Sequence, residues 1–527
     1  MLRSRTSTGG MVSAPHHLAA QAGAGILREG GNAIEAMVAA AAAIAVVYPH
    51  MNGIGGDGFW LISQPGREPV AIRACGPAAA LADRAFYAAH GERIIPARGP
   101  RAALTVAGAI GGWDVALQHA QAAGGRMPLS RLLADAIGHA REGVPVTASQ
   151  AALTASRWSE LDAQPGFAAT YGPEGPPARH VILRQPALGA TLGRLAEAGL
   201  DDFYRGDVAR VLAAGLERAG SPLRLADLQA WRACTQVPLS VALRAGRVYN
   251  LPPPTQGVSS LQILALYDRL PAAEAESYAH VHGLVEATKR AFILRNAHVG
   301  DPDRMPFDVA DWLGDAALAR EVAAIDMARA APWPHPARPG DTVWLGAADR
   351  HGTVVSYIQS IFWEFGSGVV VPDSGVLWQN RGASFTLHDG PNALAPGRLP
   401  FHTLNPALAR LHDGRTLAYG TMGGEGQPQT QAALFTRHVL YGQDLQAAID
   451  APRWLLGRTW GAASTSLKLE GRMAPAVIAR LECAGHELAV VDDYDDMMGH
   501  AGAVACHPGG LVEAATDPRA DGACAGA

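Results

Sequence analysis

The sequence contains little that would tie the chain to nucleic acid or to a membrane. Only 17% of its 527 residues are charged, the net charge is −5, and no basic run stands out, which argues against a nucleic-acid partner. The longest apolar run, residues 36–47, is too short and too rich in alanine to span a membrane, so we expect a buried helix there. The first residues carry charges but no apolar stretch of the kind found in secretory signals.

Cysteine is also scarce. The five cysteines are odd in number and show neither a CxxC pair nor the spacing of a metal site; they are Cys75, Cys234, Cys483, Cys506 and Cys524. This usage is typical of a reducing compartment, so we expect a cytoplasmic protein without disulfides. Nothing in the sequence calls for a metal or an organic cofactor, and we expect neither.

Glycine and proline, by contrast, are abundant. The 60 glycines and 36 prolines are interleaved with apolar segments, which predicts many short elements joined by turns rather than disorder. With 48% hydrophobic residues the chain can bury a large core, and its length alone is compatible with two to four domains. Strand and helix patterns alternate along the chain, and Asn32 has the position of a cap for the helix over the alanine run.

The stretch from Gly340 to Ser356 carries the strongest indication of chemistry. Short apolar runs at residues 343–348 and 354–358 have the length and β-branched character of strands, and a turn sequence lies between them. Thr342 therefore stands at the mouth of a hairpin, and opening a strand is an ordinary role for threonine. Residues 330–340 are rich in proline and predict neither helix nor strand, so we expect an exposed, linker-like lead-in.

A threonine hydroxyl becomes a useful nucleophile when a base lies beside it. A threonine at the first position of a chain carries that base itself, because its α-amine has a reference pKa of about 8. Thr342 reaches this state only if the bond between Asp341 and Thr342 is cut. The linker-like lead-in suits a processing site, so we predict cleavage between Asp341 and Thr342.

Three further segments have compositions that suit a site. Arg73 lies in an apolar strand pattern and is either an ordinary surface residue or a clamp for a carboxylate. Gly423 and Gly424 follow a predicted strand, where paired glycines can turn two backbone N–H groups toward an oxyanion. The glycine-dense loop 53–58 lacks the lysine and the following helix of a phosphate-binding loop, so we expect backbone that passes close to a catalytic centre.

Together these motifs resemble the γ-glutamyltranspeptidase family of N-terminal-nucleophile hydrolases, and the resemblance covers nearly the whole chain. Its strength lies in the number and order of the shared segments rather than in any single one. They are Gly30-Gly31-Asn32-Ala33, Pro49-His50, residues 53–59, Arg141-Glu142-Gly143, Phe203-Tyr204-Arg205-Gly206, Pro252-Pro253-Pro254, Asp341-Thr342, Phe365-Gly366-Ser367-Gly368, Gly423-Gly424, Asp450-Ala451-Pro452-Arg453 and Asp517-Pro518-Arg519.

The resemblance implies a four-layer αββα sandwich of the α/β (α+β) class. It also implies self-cleavage into a large chain, residues 1–341, and a small chain, residues 342–527, which together form one structural unit. The two chains would make an αβ heterodimer, alone or paired as (αβ)2. Residue roles are implied as well: Thr342 as the nucleophile, Ser360 in the place of a threonine that hydrogen-bonds it, Gly423 and Gly424 as the oxyanion hole, and Arg73 as the grip on the substrate carboxylate.

Departures from the family pattern point to the substrate. Where the transpeptidases hold the α-ammonium of a γ-glutamyl group with Asn, Gln and Asp, this sequence has Phe362, Arg381 and Ser384. Ser384 removes the charge that an ammonium needs, and Arg381 adds a repelling one. Together with Arg73, Arg381 predicts a site for an anionic acyl group without an ammonium.

Two other features of this region bear on the substrate. The paired serines that the transpeptidases use for the carboxylate read His402 and Thr403 here. Trp344, Phe362 and Trp363 either wall a small pocket or belong to the core, and the sequence leaves both possibilities open.

Three functions remain open at this point. The favoured one is a self-processed amidohydrolase that cleaves a small carboxylate-bearing amide such as oxamate through an acyl-enzyme on Thr342, because the resemblance is stronger to the acylase-like branch that includes oxamate amidohydrolase. The second is a γ-glutamyl hydrolase or transferase acting on glutathione-like donors. The third is a non-catalytic member that keeps the fold for binding, and the retention of Thr342, Ser360 and the paired glycines counts against it.

Overall fold

The computed structural model describes residues 3–335, 340–457 and 464–527. The strands of this part of the chain are β1 (Arg5–Ser7), β2 (Gly10–Ala14), β3 (Asp57–Ser63), β4 (Val70–Ala74), β5 (Val144–Pro145), β6 (Ile182–Leu183), β7 (Cys234–Gln236), β8 (Leu239–Leu243), β9 (Gly246–Asn250), β10 (Asp341–Asp349), β11 (Val354–Phe362), β12 (Val370–Val371), β13 (Val376–Leu377), β14 (Ala407–Leu411), β15 (Thr416–Thr421), β16 (Trp454–Leu456), β17 (Leu467–Glu470), β18 (Leu488–Val491), β19 (Ala501–Cys506), β20 (Val512–Thr516) and β21 (Ala523–Gly526).

The α-helices of the same part are α1 (His17–Arg28), α2 (Ala33–Val47), α3 (Arg84–Ala89), α4 (Ala109–Ala122), α5 (Leu129–Leu132), α6 (Ala134–Glu142), α7 (Ala148–Leu161), α8 (Phe167–Tyr171), α9 (Pro186–Ala198), α10 (Asp202–Arg205), α11 (Asp207–Ala219), α12 (Leu225–Ala230), α13 (Gly257–Tyr267), α14 (Tyr278–His298), α15 (Asp315–Ala323), α16 (Gln427–Phe435), α17 (Leu445–Asp450) and α18 (Pro475–Cys483). None of the helices in the described ranges is long and apolar enough to cross a bilayer.

Two seven-stranded sheets stack face to face at the centre of the molecule. Sheet I has the strand order β21-β2-β10-β11-β3-β4-β7, and sheet II has the order β1-β20-β19-β15-β14-β9-β8. Apolar side chains that include Trp344, Leu408 and Val504 fill the space between them. The outer face of sheet I packs against helices that include α1, α2 and α4, and the outer face of sheet II packs against helices that include α13 and α16. This arrangement confirms the predicted four-layer αββα fold.

Helix α2 shows how local sequence builds the outer layer. The Asn32 side chain accepts hydrogen bonds from the backbone N–H groups of Ile34 and Glu35, while the Glu35 carboxylate accepts one from the N–H of Asn32. This reciprocal cap begins the helix where the sequence predicts it. Every residue of the helix is buried, because its small alanine side chains let it lie close to β10 and β11. The predicted buried alanine helix is therefore confirmed.

Both sheets mix strands from the two sides of the bond between Asp341 and Thr342. In sheet I, β10, β11 and β21 lie at or beyond this bond, whereas β2, β3, β4 and β7 precede it. In sheet II, β14, β15, β19 and β20 lie between β1 on one side and β9 and β8 on the other. The two segments of the chain thus share both sheets and a common core.

Candidate active site

Thr342 lies at the start of β10, where the pairing with β11 changes register. Asp341 pairs with Phe362 and Val343 pairs with Gln359, so Thr342 alone faces both Ser360 and Ile361. Such β-bulges re-aim side chains. The Thr342 hydroxyl donates a hydrogen bond to Ser360 Oγ over 3.3 Å, and both residues are buried.

Neighbouring strands extend this pair into a row of polar residues on the inner face of sheet I. Ser360 is directly opposite Asp57 on β3, and Phe59 is opposite Arg73 on β4. Because side chains alternate along a strand and match across antiparallel pairs, Thr342, Ser360, Asp57 and Arg73 point toward sheet II. The pleat and the register of the sheet therefore gather residues that are far apart in the sequence.

The loop between β15 and α16 faces Thr342 from the second sheet. Gly423 has a φ of +113° and Gly424 a φ of +51°, a region that side chains rarely adopt. A Cβ on Gly424 would lie 3.1 Å from the backbone N and O of Gly340. Gln427, at the start of α16, donates to the Thr342 hydroxyl over 3.5 Å. The paired glycines therefore allow this loop to pass directly beside the bond predicted to be cut.

Residues 330–335 of the lead-in to Thr342 form neither helix nor strand and are exposed or half-buried, as the sequence predicts, whereas the end of the lead-in is buried. Gly340 and Thr342 are both buried, because Gly340 lies against Gly424, Phe362 and Thr403. Residues 336–339 of the predicted linker lie outside the described part of the chain. The described residues on either side of Asp341, Gly340 and Thr342, are therefore both covered by other parts of the chain.

A buried hydrogen-bond network supports the glycine loop, and its central residue, Gln256, was missed by the sequence prediction. The Gln256 amide donates to the backbone oxygens of Gly424, over 2.9 Å, and of Thr403, over 2.6 Å. Its own oxygen accepts from Arg295 over 2.7 Å, and Arg295 forms a salt bridge of 3.1 Å with Glu425. The network fixes the loop relative to the segment that holds Thr403, as a preorganised site requires.

Arg381 begins a short 3-10 helix and is buried, with 1% of its surface exposed. Its guanidinium carbon lies 4.0 Å from the centroid of the Phe362 ring, and none of its three nitrogens has a hydrogen-bond partner among the described residues. Burial lowers the pKa of Arg381 to about 9, although nearby Asp57 raises it, so the side chain is a cation at neutral pH. A buried cation with unused N–H donors fits a planar anion such as a carboxylate.

Asp57 and His402 lie next to Arg381, and Asp57 was not among the residues predicted to form the site. Asp57 Oδ1 accepts from Gln379 over 3.1 Å, whereas Oδ2 lies 3.7 Å from His402 Nε2 and has no hydrogen-bond partner among the described residues. Burial raises the pKa of Asp57 to about 7. Burial, Arg381 and Arg73 together hold the pKa of His402 well below its usual range, so that its ring is neutral.

The remaining predicted binding residues lie close by. Ser384 ends the short 3-10 helix that begins with Arg381, and its hydroxyl donates to the backbone oxygen of Phe401 over 3.4 Å. The Thr403 hydroxyl is buried and has no hydrogen-bond partner in the described ranges. Arg73 is half-buried, and its charge acts on the His402 ring. The structure therefore brings every predicted substrate-binding residue to one end of the space between the sheets.

The three aromatic residues Trp344, Trp363 and Phe362 do not all belong to the candidate site. Trp344 lies between the sheets, donates to Ser356 over 3.0 Å and is packed so tightly that a Cβ on Gly420 would collide with its indole ring. Trp363 is half-buried and packs beside the guanidinium of Arg98, which lies 5.6 Å from its centroid. Phe362 lies under Arg381 and has a φ of +84°, a strained conformation for a bulky residue. Only Phe362 therefore faces the candidate site.

One group of residues elsewhere has the composition of a metal site. Ligand atoms of His282, Glu286 and His486 lie within 4.8 Å of one another. The Glu286 carboxylate, however, accepts from Lys289 Nζ over 2.7 Å and from the N–H of Ala331 over 3.1 Å, and the two histidine rings bond to each other over 2.8 Å. Lys289 Nζ also donates to the backbone oxygen of Ala331 over 2.6 Å, so this cluster ties Ala331 to α14.

Comparisons with known proteins agree with this geometry. The sequence model of the family described as Gamma-glutamyltranspeptidase matches residues 19–527. The chain is 58% identical to the oxamate amidohydrolase proenzyme of Klebsiella pneumoniae subsp. pneumoniae and 38% identical to the glutathione hydrolase-like YwrD proenzyme of Bacillus subtilis, with 100% of both chains covered in each case. Among solved structures it is similar to cephalosporin acylase from Bacillus halodurans, with a TM-score of 0.92, 32% identity and coverage of 100% of this chain and 97% of that chain.

Proposed function

The chain belongs to the γ-glutamyltranspeptidase family of N-terminal-nucleophile hydrolases, and from this premise we propose that it is a self-processing amidohydrolase of a small, carboxylate-bearing amide such as oxamate. The substrate class is supported by Arg381, which is a buried cation with unused donors. It lies beside Phe362, which is on the strand that pairs with the strand of Thr342. The similarity to an oxamate amidohydrolase proenzyme supports both parts of the proposal.

Self-cleavage is the first step that we propose. The Thr342 hydroxyl attacks the carbonyl carbon of Asp341, and the peptide bond breaks as an ester forms on Thr342 and its nitrogen takes up the hydroxyl proton. Water then hydrolyses the ester, which leaves a carboxylate on Asp341 and a free α-amine on Thr342. The positions of Ser360 and Gln427 support this role, because both hydrogen-bond the hydroxyl and hold it in place. The two resulting chains stay together as an αβ heterodimer.

Turnover uses the same groups. The freed amine of Thr342 accepts the proton of its own hydroxyl, whose oxygen attacks the amide carbon of the substrate. Backbone N–H groups of Gly423 and Gly424 stabilise the oxyanion, as their left-handed conformations beside Thr342 support. The amine returns the proton to the leaving nitrogen, ammonia departs, and an acyl ester remains on Thr342. Water hydrolyses this ester, so that oxamate would yield oxalate and ammonia.

Binding in this proposal depends on matching the charge of the acyl group. The substrate carboxylate replaces the missing partners of Arg381, and Arg73 adds a second positive charge near His402. An α-ammonium would meet Arg381 at close range and would find a neutral hydroxyl at Ser384 and an apolar ring at Phe362. Burying an ammonium without acceptors is unfavourable by several kcal/mol, which disfavours a γ-glutamyl donor.

The second candidate, hydrolysis or transfer of a γ-glutamyl group, has one observation in its favour. Asp57 is an acidic side chain in the site, and an ionised Asp57 would attract an ammonium. Against this, burial raises the pKa of Asp57 to about 7, and Arg381 beside it repels a second cation. We therefore place this function second.

A side-by-side measurement of kcat/KM on the processed protein tests the proposal. Oxamate is compared with γ-glutamyl-p-nitroanilide and with glutathione, in the presence and absence of an amine acceptor. We expect oxamate to be favoured roughly a hundredfold, as a loss of about 3 kcal/mol for the ammonium would produce. If kcat/KM for a γ-glutamyl donor exceeds that for oxamate by tenfold or more, the second candidate is correct. An uncut protein that turns over neither substrate indicates a binding protein.

A further inference from the structure

Two buried groups of opposite charge share the candidate site without a direct hydrogen bond. All three nitrogens of Arg381 and the Oδ2 atom of Asp57 lack hydrogen-bond partners among the described residues. Each group nevertheless acts electrostatically on the other, because Arg381 lowers the pKa of Asp57 and Asp57 raises that of Arg381. The site therefore holds unused donors on Arg381 and one unused acceptor oxygen on Asp57, and a carboxylate bound there would have two oxygens to share between these groups.

The groups around Asp57 have opposing effects on its pKa. Gln379 and the backbone N–H groups of Gly76 and Gly108 favour the ionised form, as does Arg381, whereas burial favours the neutral form. The other titratable groups that face Asp57 are uncharged at neutral pH: the ring of His402, the Cys75 thiol and the phenols of Tyr204 and Tyr357, whose pKa values burial moves away from neutrality. The charge of Arg73 acts on His402 and Cys75. Arg381 is thus the one strong influence that a bound anion would offset.

A second carboxylate placed next to Arg381 changes this balance. It neutralises the attraction that Arg381 exerts on an ionised Asp57, and it adds the repulsion of a like charge in a buried site. Two carboxyl groups held this close share one proton rather than both ionising. A protonated Asp57 has a donor that the ionised form lacks, because its hydroxyl can bond to an oxygen of the ligand.

We propose that Asp57 binds the substrate carboxylate as a neutral carboxylic acid, donating its proton to one oxygen while Arg381 holds the carboxylate from the other side. This inference rests on the proposed function, since it needs a substrate with a carboxylate. Asp57 acts as a specificity-determining residue: it accepts an anion only together with a proton. No bond is made or broken at Asp57, and the proton that it takes up comes from solvent and returns there when the product leaves.

Substrate affinity in this mechanism is linked to proton uptake. The folded-state pKa of free Asp57 is about 7, so binding needs no proton below that pH and takes up one proton above it. The contribution of Asp57 to kcat/KM is therefore full below about pH 7 and falls tenfold for each further pH unit. The alternative role, in which an ionised Asp57 accepts an N–H or holds an ammonium, has the opposite sign, because its contribution would rise through the same pH range.

The test compares the processed wild-type enzyme with Asp57→Asn and Asp57→Ala. Asparagine keeps the size of the side chain and a neutral N–H donor, and its charge does not depend on pH. We measure kcat/KM for oxamate from about pH 6 to about pH 9 and take the ratio of wild type to Asp57→Asn, which removes the titration of the Thr342 amine common to both. We expect a ratio near one at the acid end that falls about tenfold per pH unit above about pH 7. Asp57→Ala should lose roughly tenfold or more relative to wild type at the acid end, and this difference should shrink as the pH rises above about 7.

A binding measurement keeps the proposal testable if the variants fail to fold or to cleave themselves. Titration of oxalate into processed wild-type protein at about pH 7.5, in buffers of different ionisation enthalpy, should show uptake of a large fraction of one proton. A wild-type to Asp57→Asn ratio that is flat or rises with pH overturns the proposal, as does oxalate binding without proton uptake. Failure of the proposed function is recognised separately, since the wild-type enzyme would then turn over no carboxylate-bearing amide at all.

Discussion

The hydroxyl of Thr342 donates to the hydroxyl of Ser360 across the bulge between β10 and β11, over a distance of 3.3 Å. The contact depends on the bulge, because regular pairing would set a single residue opposite Thr342 rather than two. The same Ser360 oxygen also accepts from the backbone N–H of Phe362 over 2.8 Å. Ser360 thus couples the orientation of the proposed nucleophile to the strained backbone that carries Phe362.

Thr342→Ala should abolish both self-cleavage and turnover, because it removes the hydroxyl that attacks in both reactions. Intact mass spectrometry and a denaturing gel should show one uncut chain, and kcat/KM for oxamate should fall by at least ~10³-fold. Thr416→Ala, a half-buried threonine of sheet II, serves as the control and should cleave normally. Turnover near the wild-type rate in Thr342→Ala would place the nucleophile elsewhere.

Ser360→Ala should slow self-cleavage and reduce kcat/KM by roughly ten- to a hundredfold, since it removes the partner of the Thr342 hydroxyl and leaves a buried N–H unpaired. Ser360→Thr keeps the hydroxyl and should retain most of both activities. The rates of appearance of the two chains after synthesis, followed on a gel, measure the first effect. Equal rates in the alanine and threonine variants would show that this hydroxyl has no part in the chemistry.

Gly424→Ala should slow self-cleavage, and the decrease in rate should be larger than the strain of an alanine at positive φ would cause by itself. A Cβ at this position would lie 3.1 Å from the backbone of Gly340, next to the bond proposed to be cut. Gly442→Ala is a matched control, because Gly442 also has a positive φ, of +67°, but has nothing within 4 Å of its added Cβ. The control should lose about 1 kcal/mol of stability and cleave at the normal rate. Equal cleavage by the two variants would mean that the close approach of Gly424 has no effect.

Arg381→Met should make the protein more stable and less active. The native side chain is a buried cation without hydrogen-bond partners in the described structure, so methionine removes an unfavourable charge while it gives up a contact with the Phe362 ring. We expect the free energy of unfolding to rise by roughly 1–2 kcal/mol and kcat/KM for oxamate to fall at least about a hundredfold.

Arg519→Met is the matched control for that prediction. Arg519 is as deeply buried, but it is paired with Glu470 and Asp517. Its replacement removes one of the two arginine partners of each carboxylate, since Glu470 also pairs with Arg472 and Asp517 with Arg453. The buried cluster is left with excess negative charge, and the free energy of unfolding should fall by about 3–5 kcal/mol. Denaturant unfolding of the three proteins compares the effects. A loss of stability in Arg381→Met similar to that in Arg519→Met would show that Arg381 is a structural residue rather than a reserved binding group.

Replacing three residues together should shift the substrate preference. Phe362→Asn, Arg381→Gln and Ser384→Asp supply acceptors and one negative charge for an α-ammonium and remove the positive charge that repels it. We expect the ratio of kcat/KM for γ-glutamyl-p-nitroanilide to that for oxamate to rise by at least about tenfold. Arg73→Lys, which keeps the charge but loses the planar fork, should lower kcat/KM for both substrates without changing their ratio. An unchanged ratio in the triple variant would contradict the specificity argument.

Local sequence signals were sufficient for elements whose cause is local. The capped helix α2 and the β10–β11 hairpin follow from a cap, an alanine run and a turn, and both are present. The stacking of the layers came from the family resemblance rather than from periodicity. The pairing of Ser360 with Asp57 depends on the register of β11 against β3, which no local pattern specifies.

Asp57 and Gln256 were missed for the same reason. Asp57 is the only acid in a glycine-rich loop, and Gln256 follows a run of prolines, so the sequence offers no sign that either residue is buried next to Arg381 or Gly424. The lead-in to Thr342 was expected to be exposed from its proline content, yet Gly340 is buried because tertiary contacts with Gly424 and Phe362 override that tendency. Trp344 could not be assigned to the core until the second sheet was in place.

The interleaving of strands on either side of Asp341 and Thr342 makes folding and maturation occur in a fixed order. In the intact precursor, β10 and β11 find their places between β2 and β3 by a first-order process within one molecule. After the proposed cut, β10 and β11 would belong to a different polypeptide from β2 and β3, so renaturation would become second order and the apparent stability would depend on protein concentration. When a mature molecule unfolds at high dilution, its two chains diffuse apart. Its lifetime is then set by its rate of unfolding. The proposed cleavage inside an already assembled sandwich would therefore make refolding of the mature protein depend on the meeting of two separate chains.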